Sequence, residues 1–433
     1  MSELTSTLLK NLATLRRGIT YTESALRDNP EDGLPYFNMK SFLKDGGLNR
    51  RGLKYYSGFY TDSDLIGRND LLIANTDVTR DGDIIGVPIT VPEYISREKS
   101  LFSHHVTKIS FKSTVCLNYF FYLLCTDKYR REMKKYARGT TVLMLDMSGL
   151  HRICVSYHSS IKEQQKIARI LQTIDRAIEQ TEALIDKYQQ IKAGLMHDLF
   201  TRGIGPDGQL RPPREQAPHL YQQTPIGWIP KEWTLRNLGG MAKIVSGVTL
   251  GPKDSPSETI EAPYLRVANV QDGYLDLSEI KTVRISRKAL EYLRLLPGDV
   301  LMNEGGDFDK LGRGAVWMGE IEDCVHQNHV FRVRTDSTTL NPIYLACYSE
   351  SAFGKKYFLL SSKQSTNLAS INSKQLNAYP IALPFLEEQA EIIRRIGGAK
   401  LQIDSLTTES EKLQKQKSGL MHDLLTGKVS ITV

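Results

Sequence analysis

Cysteine is scarce in this chain: Cys116, Cys125, Cys154, Cys324 and Cys347 are an odd, unclustered set of five in 433 residues, with no CxxC pair. A disulfide scaffold and a thiolate zinc centre are therefore excluded as the organising principle. Long apolar runs are lacking too, the richest, Cys116 to Cys125, being far short of a bilayer span. The opening MSELTSTLLKNLATLRR has no basic start, apolar core or small-residue cleavage site. The chain is expected to be cytoplasmic. No GxxxxGK[ST] phosphate loop and no nucleophile, base and orienter set stand out. Charge of one sign is nearly absent: 56 basic against 49 acidic residues leave +7, too little to identify a polyanion partner. The excess sits mainly in residues 1–160, which carry 22 basic and 17 acidic side chains. What remains is ordinary globular composition, 40% hydrophobic and 24% charged, at a length that suits two or three domains.

The chain repeats itself. GLMHDLFT at 194–201 returns as GLMHDLLT at 419–426, and the same offset pairs Glu163 with Glu388, Gln164 with Gln389, Ile167 with Ile392 and Lys192 with Lys417. In the first copy Ile167, Leu171, Ile174, Ile178, Thr181, Ile185, Tyr188, Leu195 and Leu199 recur in steps of three and four. Ile392, Ile396, Ala399, Ile403, Leu406, Leu413, Leu420 and Leu424 hold matching places in the second. That is the narrow stripe of a coiled-coil seam. Two such seams in one register are buried most simply against each other, and antiparallel pairing asks least of the connection. Ser160-Ile-Lys-Glu163 is a capping-box start and Gly203 and Gly427 are stops. Such a helix is roughly 58 Å long.

Fainter echoes precede each helix. Asn11-Leu12 matches Asn237-Leu238, Pro35-Tyr36-Phe37 matches Pro263-Tyr264-Leu265, and Asp70-Leu71-Leu72 matches Asp299-Val300-Leu301. Later, His105-Val106 matches His329-Val330 and Leu117-Asn118 matches Leu340-Asn341. The predicted fold is α+β: two mostly-β domains in tandem, each followed by a long helix, with the two helices paired as an antiparallel coiled coil. The expected boundaries are 1–158, a central helix over 159–204, a linker over 205–230, 231–384, and a C-terminal helix over 385–433. The linker holds six of the chain's 17 prolines and reads as irregular and extended.

Several motifs invite chemistry, and the internal copy tests each. Asn341-Pro342-Ile343-Tyr344 is similar to the NPPY of adenine amino-methyltransferases, yet the other half keeps an Asn and drops the Pro, which fits an Asn N-cap with Pro at N1. Glu279-Ile280-Lys281 echoes a nuclease ExK, but Lys281 matches Lys54 while Glu279 matches Gly52. Gly203 to Gly208 spells GxGxxG after a helix, where the dinucleotide fingerprint must follow a strand. His326 and His329 near Cys324 have metal-like spacing, but Ser103-His104-His105 in the other half lacks the thiol. No catalytic residue, metal site or cofactor is predicted.

Two divergent α+β halves, each trailing a long helix, together with IGWIPKEW at 226–233, FLEEQ at 385–389, IKEQQ at 161–165 and GLMHDLLTGKV at 419–429, resemble the specificity subunit of Type I restriction-modification systems. The resemblance covers essentially the whole chain. It implies two target recognition domains, each reading one half of a bipartite, asymmetric duplex DNA target. It also implies that the helices set the spacer and dock two modification (methyltransferase) subunits, with restriction-translocation subunits joining the full complex. The chemistry then belongs to the partners, and this chain is non-catalytic. A specificity subunit of a Type IIB-like enzyme, or a coiled-coil adaptor without DNA, are the alternatives.

Antiparallel helices of that length would separate two half-sites by about 17 base pairs. Basic residues would hold phosphates, and Arg, Asn and Gln would read base edges. Turns at matching places give the DNA-binding candidates: Asn38 and Lys40 against Arg266 and Asn269; Asn75, Thr76 and Arg80 against Asn303, Lys310 and Arg313; and Arg138, Thr140 and Thr141 against Lys363, Gln364, Ser365 and Thr366.

Overall fold

The computed structural model describes residues 4–67, 70–92, 95, 99–249, 259–306, 311–312, 314–364 and 369–431. The chain packs as two units, Met1–Glu182 with Thr408–Val433, and Ala183–Thr407.

In the first unit, Asp70–Ala74 is buried at every position and becomes a central strand, while VTKISF alternates and lies beside it. The sheet order is Ala13–Arg17, Val106–Phe111, Asp70–Ala74, Pro88–Thr90, all antiparallel. A second sheet runs Leu26–Arg27, Lys54–Tyr56, Leu34–Phe37, Leu101–Phe102, its last pair parallel. A ribbon joins Ala137–Arg138, Leu143–Leu145 and Thr76–Asp77. Helices Leu117–Cys125 and Asp127–Lys134 pack their Tyr119, Phe120, Leu123, Tyr129 and Met133 into the core.

The second unit repeats this order. Its main sheet is Ala242–Ser246, Val330–Thr335, Val300–Asn303, Gly314–Val316, and its second is Lys281–Ser286, Thr259–Leu265, Val325–His326. The ribbon is Gly305–Gly306, Ala369–Ser370, Lys363–Gln364, and the helices are Pro342–Glu350 and Ala352–Ser361.

Register shows which faint echoes are equivalent. Phe37 lies opposite Phe102 as Leu265 lies opposite His326, so the match at Pro35 and Pro263 holds. Two other pairings shift. Leu9 donates its N–H to the Ile153 carbonyl as Leu238 does to Tyr379, so Leu238 corresponds to Leu9 rather than Leu12. Cys116 donates to Gln164 Oε1 as Asn341 does to Gln389 Oε1, so Asn341 corresponds to Cys116, two residues before Asn118. A shared dipeptide cannot hold register across loops of unequal length; backbone pairing can.

The first long helix is Ile161–Thr201 and the second Leu386–Leu425. In the first unit Leu424 and Leu425 share a core with Ile167 and Leu171; in the second, Ile392 and Ile396 share one with Met196, Leu199 and Phe200. The start of each helix thus meets the end of the other, and the pair is antiparallel. Burial along the seam is uneven: Ile167, Leu171, Ile174 and Ile178 are buried, whereas Ile185, Tyr188, Ile403, Leu406 and Leu413 are only half-buried. Packing against the domain cores, more than the seam between them, holds these helices. Among the described residues no helix is long and apolar enough to cross a membrane.

The proline-rich segment is more structured than its composition suggests. Tyr221–Thr224 pairs with Gly227–Pro230 as a hairpin, with Pro225 in the turn, where no ladder N–H is needed, and Gly227 at φ 116°.

Candidate nucleic-acid interface

Two constructions in the first unit carry the exposed candidates. In one, Asn38 caps the turn Met39–Ser41: its Oδ1 accepts from Lys40 N at 2.7 Å and its Nδ2 donates to Gly52 O at 3.2 Å. Asn49 Nδ2 donates to Lys40 O at 2.9 Å from the adjoining turn Arg50–Gly52. The two turns touch so closely that a Cβ on Gly52 would sit 1.7 Å from Lys40 O. Lys40, Arg50 and Arg51 are thereby gathered, all exposed, on one paired turn. The arginines were missed in the sequence because their spacing from Lys40 has no periodic meaning; only the glycine contact joins them.

The other construction is the ribbon. Met144 lies opposite both Thr76 and Arg138, so the 75–80 and 137–145 candidates are brought together. Asp77 pins the following loop by accepting from Thr79 N at 2.8 Å and Ile84 N at 2.6 Å, leaving Arg80 exposed. Gly139, at φ 127° and with its Cβ direction blocked 2.0 Å away by Val142 O, makes the tight turn that displays Arg138, Thr140 and Thr141.

Other candidates face inward. Asn75 is fully buried, donating to His104 O at 3.1 Å and Thr107 Oγ1 at 3.0 Å, while its Oδ1 accepts from the equally buried Thr76 hydroxyl. Asn269 is buried; it accepts from Arg266 N at 2.9 Å and donates to Asp276 O at 2.8 Å and Glu279 O at 3.0 Å. Asn303 is buried and donates to Val270 O at 3.0 Å. These amides are spent on the chain's own backbone, the usual fate of a buried polar group, so they shape the loops that carry other side chains. Arg266 is half-buried and pairs with Glu279 at 3.4 Å. Lys310, Arg313, Ser365 and Thr366 lie outside the described residues, as do the side chains of Lys363 and Gln364.

The turn pair of the second unit differs in charge. Where the first has Gly52 and Lys54 the second has Glu279 and Lys281, and Glu279 pairs with both Arg266 and Lys281, the latter at 3.8 Å. The other tempting motifs resolve as structure. Asn341 caps its helix by accepting from Ile343 N at 2.9 Å, and Tyr344 is fully buried with its hydroxyl on Ala382 O at 2.7 Å. His326 is buried, donating Nδ1–H to Val330 O at 2.6 Å, and burial holds its pKa down at about 4. In the first unit its place is taken by Phe102.

Each unit is joined to its long helix through the Gln of a Glu-Gln pair. Gln164 accepts from Cys116 N at 2.9 Å and donates to His158 O at 2.8 Å; Gln389 accepts from Asn341 N at 2.8 Å and donates to Thr339 O and Pro384 O. Glu388 does something Glu163 does not. It accepts from Ile204 N at 2.7 Å, from both Arg211 terminal nitrogens at 2.6 and 3.2 Å, and from Trp233 Nε1 at 3.0 Å. Arg211 also reaches Glu232, and Gly203, at φ 63°, sits where any Cβ would strike Glu388, Arg211 and Trp233. The proline-rich segment is therefore a strap pinned across the helix end.

The family model of the Type I restriction modification DNA specificity domain matches residues 1–190 and 230–416. The chain is 24% identical to the Type I restriction enzyme MjaVIII specificity subunit of Methanocaldococcus jannaschii, over 85% of this chain and 80% of that one. It is 22% identical to the EcoBI specificity subunit of Escherichia coli, over 96% and 83%. A further M. jannaschii relative, described as a putative MjaX specificity subunit, is 27% identical over 48% of each chain, so that match spans about half the relative's length. Among solved structures, a Type I restriction-modification S subunit from M. genitalium has a TM-score of 0.54 at 15% identity, covering 100% of this chain and 97% of that one. A chain from a study of type I R-M complex assembly has a TM-score of 0.55 at 15% identity over 97% of each.

Proposed function

Because the chain belongs to the Type I restriction modification DNA specificity family, we propose that it is the DNA sequence-specificity subunit of such a complex, with no catalysis of its own. Each recognition domain reads one half of a bipartite target, and the long helices set the spacing and dock modification (methyltransferase) subunits. Those partners would transfer a methyl group to an adenine taken out of the stack, and restriction-translocation subunits would join them.

One observation carries this reading: a single fold is built twice with unlike exposed chemistry in the same frame. The first paired turn offers Lys40 and Arg51 where the second offers Arg266 neutralised by Glu279. Two readers of one core topology and different surface suit an asymmetric target. In the first unit Lys40, Arg51 and Arg80 would meet phosphates, and Arg138, Thr140 and Thr141 base edges. In the second, Lys310, Arg313, Lys363, Gln364, Ser365 and Thr366 are the proposed DNA-contacting residues. Asn38, Asn75, Thr76, Asn269 and Asn303 would act by holding the loops in shape.

The test is exchange of residues 1–158 for the equivalent half of another family member, followed by sequencing of methylated adenines in a host that carries the partner subunits. One half-site should change and the other persist. A change in both, or in neither, would refute two independent readers.

A further inference from the structure

The hairpin over 137–145 in the first unit alternates along its returning strand. Leu145 is fully buried and Leu143 packs on the same core, its Cδ1 3.2 Å from where a Cβ on Gly82 would stand. Val142 and Met144 therefore project to the other side, 43% and 36% exposed. Val78 follows Asp77, the partner of Leu143, so it stands across from Val142, and it is 62% exposed. Apolar side chains exposed singly need no explanation; three on one face of a ribbon do.

The face is braced and positively rimmed. Leu145 N donates to Asn75 O at 2.8 Å and Arg17 Nη2 donates to Leu145 O at 2.8 Å, which ties the ribbon to the main sheet. Arg138, opposite Met144, and Arg80, two residues after Val78, are exposed and bond no other group among the described residues. The only acid within 76–80 and 137–145, Asp77, is turned inward onto Thr79 N and Ile84 N. Asp146, just beyond, is taken up by Ser148.

The second unit differs here. Glu304 is equivalent to Asn75, since each donates its N–H to a histidine carbonyl, His329 or His105, and each accepts from the ribbon, at Ile371 N or Leu145 N. Ser370 therefore stands where Met144 stands, with Lys363 opposite it in the place of Arg138.

We propose that the hairpin enters the major groove of the first half-site and that Val78, Val142 and Met144 pack on the C5-methyl group of a thymine. The inference rests on the DNA-reading role proposed above and names what one reader recognises. That methyl is the apolar group which base edges display in the major groove, and the groove, about 12 Å wide, admits a β-ribbon. Arginines at the rim meet the flanking phosphates. A stable protein interface buries about 800 Å² on each side, far more than three side chains supply.

The probe is a duplex carrying the target read from the methylated adenines, with each thymine replaced in turn by deoxyuridine, which removes the methyl group alone. Binding is followed by fluorescence anisotropy with the chain assembled with its methyltransferase subunits. One or two replacements should weaken binding about fourfold each, the worth of one buried methyl group, and only in the half-site that changes when residues 1–158 are exchanged. The double variant Val142→Ser, Met144→Ser should bind thymine and uracil duplexes equally, with circular dichroism and melting unchanged. The inference is overturned, and the reading role left standing, if selective binding persists while no deoxyuridine matters, or if the penalty survives in the double variant. Failure of that variant to assemble with the methyltransferase would overturn it by making the face a protein contact. Binding without any sequence preference would remove the reading role and this inference with it.

Discussion

The two halves of this molecule share main-sheet order, register and the Glu-Gln junction, yet among the described residues the two junction carboxylates differ in their partners. Glu388 gathers four donors from three pieces of chain, while Glu163 has none among the described residues. The lesson is that duplication copies a scaffold more faithfully than it copies what fills the scaffold. A backbone donor at a helix start must be satisfied in either copy, so Gln164 and Gln389 are equivalent in detail. A carboxylate at the edge can be left to water, so its partners were free to diverge.

That contrast can be broken at the carboxylates. Glu388→Gln should destabilise the second unit by about 2 kcal/mol, because it leaves Arg211, only 7% exposed, with the more exposed Glu232 as its remaining charge partner. Glu163→Gln should change the first by no more than about 0.5 kcal/mol. Denaturant unfolding followed by tryptophan fluorescence reads the second unit alone, since Trp228, Trp233 and Trp317 all lie in it. Hydrogen exchange reads the first. Equal losses would end the distinction.

The second contrast is His326 against Phe102. Unfolded, His326 takes a proton near pH 6.5; folded, burial keeps it neutral down to about pH 4. Between those values the unfolded state binds more protons, so the second unit should lose stability as pH falls through the window, on the order of 3 kcal/mol in all. His326→Phe should flatten that dependence in the tryptophan signal. A slope that survives the substitution would assign it to another group.

Where the halves agree, matched substitutions should agree too. Gln164→Ala and Gln389→Ala should each cost about 1 kcal/mol, since each removes the acceptor of a part-buried backbone N–H; a large difference would mean that the junctions are not equivalent after all. The smallest expected effect sharpens the surface comparison. Arg51→Ala should weaken binding similarly on every duplex sequence and reduce the salt slope by about 0.9, whereas Arg266→Ala, already neutralised by Glu279, should leave the slope nearly unchanged. Both follow from affinity titrations at several salt concentrations with the assembled complex.

Much of the architecture was legible in the sequence because it rests on periodicity and repetition. The seams from Ile167 and Ile392 required long paired helices, and the 225-residue offset at GLMHDL required two equivalent halves. The candidate interface was legible only in part. Asparagine and threonine in a turn look alike whether they face solvent or pin a loop, and Asn75, Thr76, Asn269 and Asn303 all turn inward. Arg50 and Arg51 were invisible as candidates because the contact between Gly52 and Lys40 that gathers them is made through space.

The sequence alone determined that the chain is built twice and that its two long helices must bury matching apolar stripes, because such stripes repeat at fixed intervals along the chain. Only the tertiary structure decided which polar side chains are consumed by the protein itself and which are left for another molecule. Hydrogen bonding and burial are properties of a residue's surroundings, and those come from segments remote in the chain: Arg211 and Glu388 stand 177 residues apart in sequence and meet only in the folded unit.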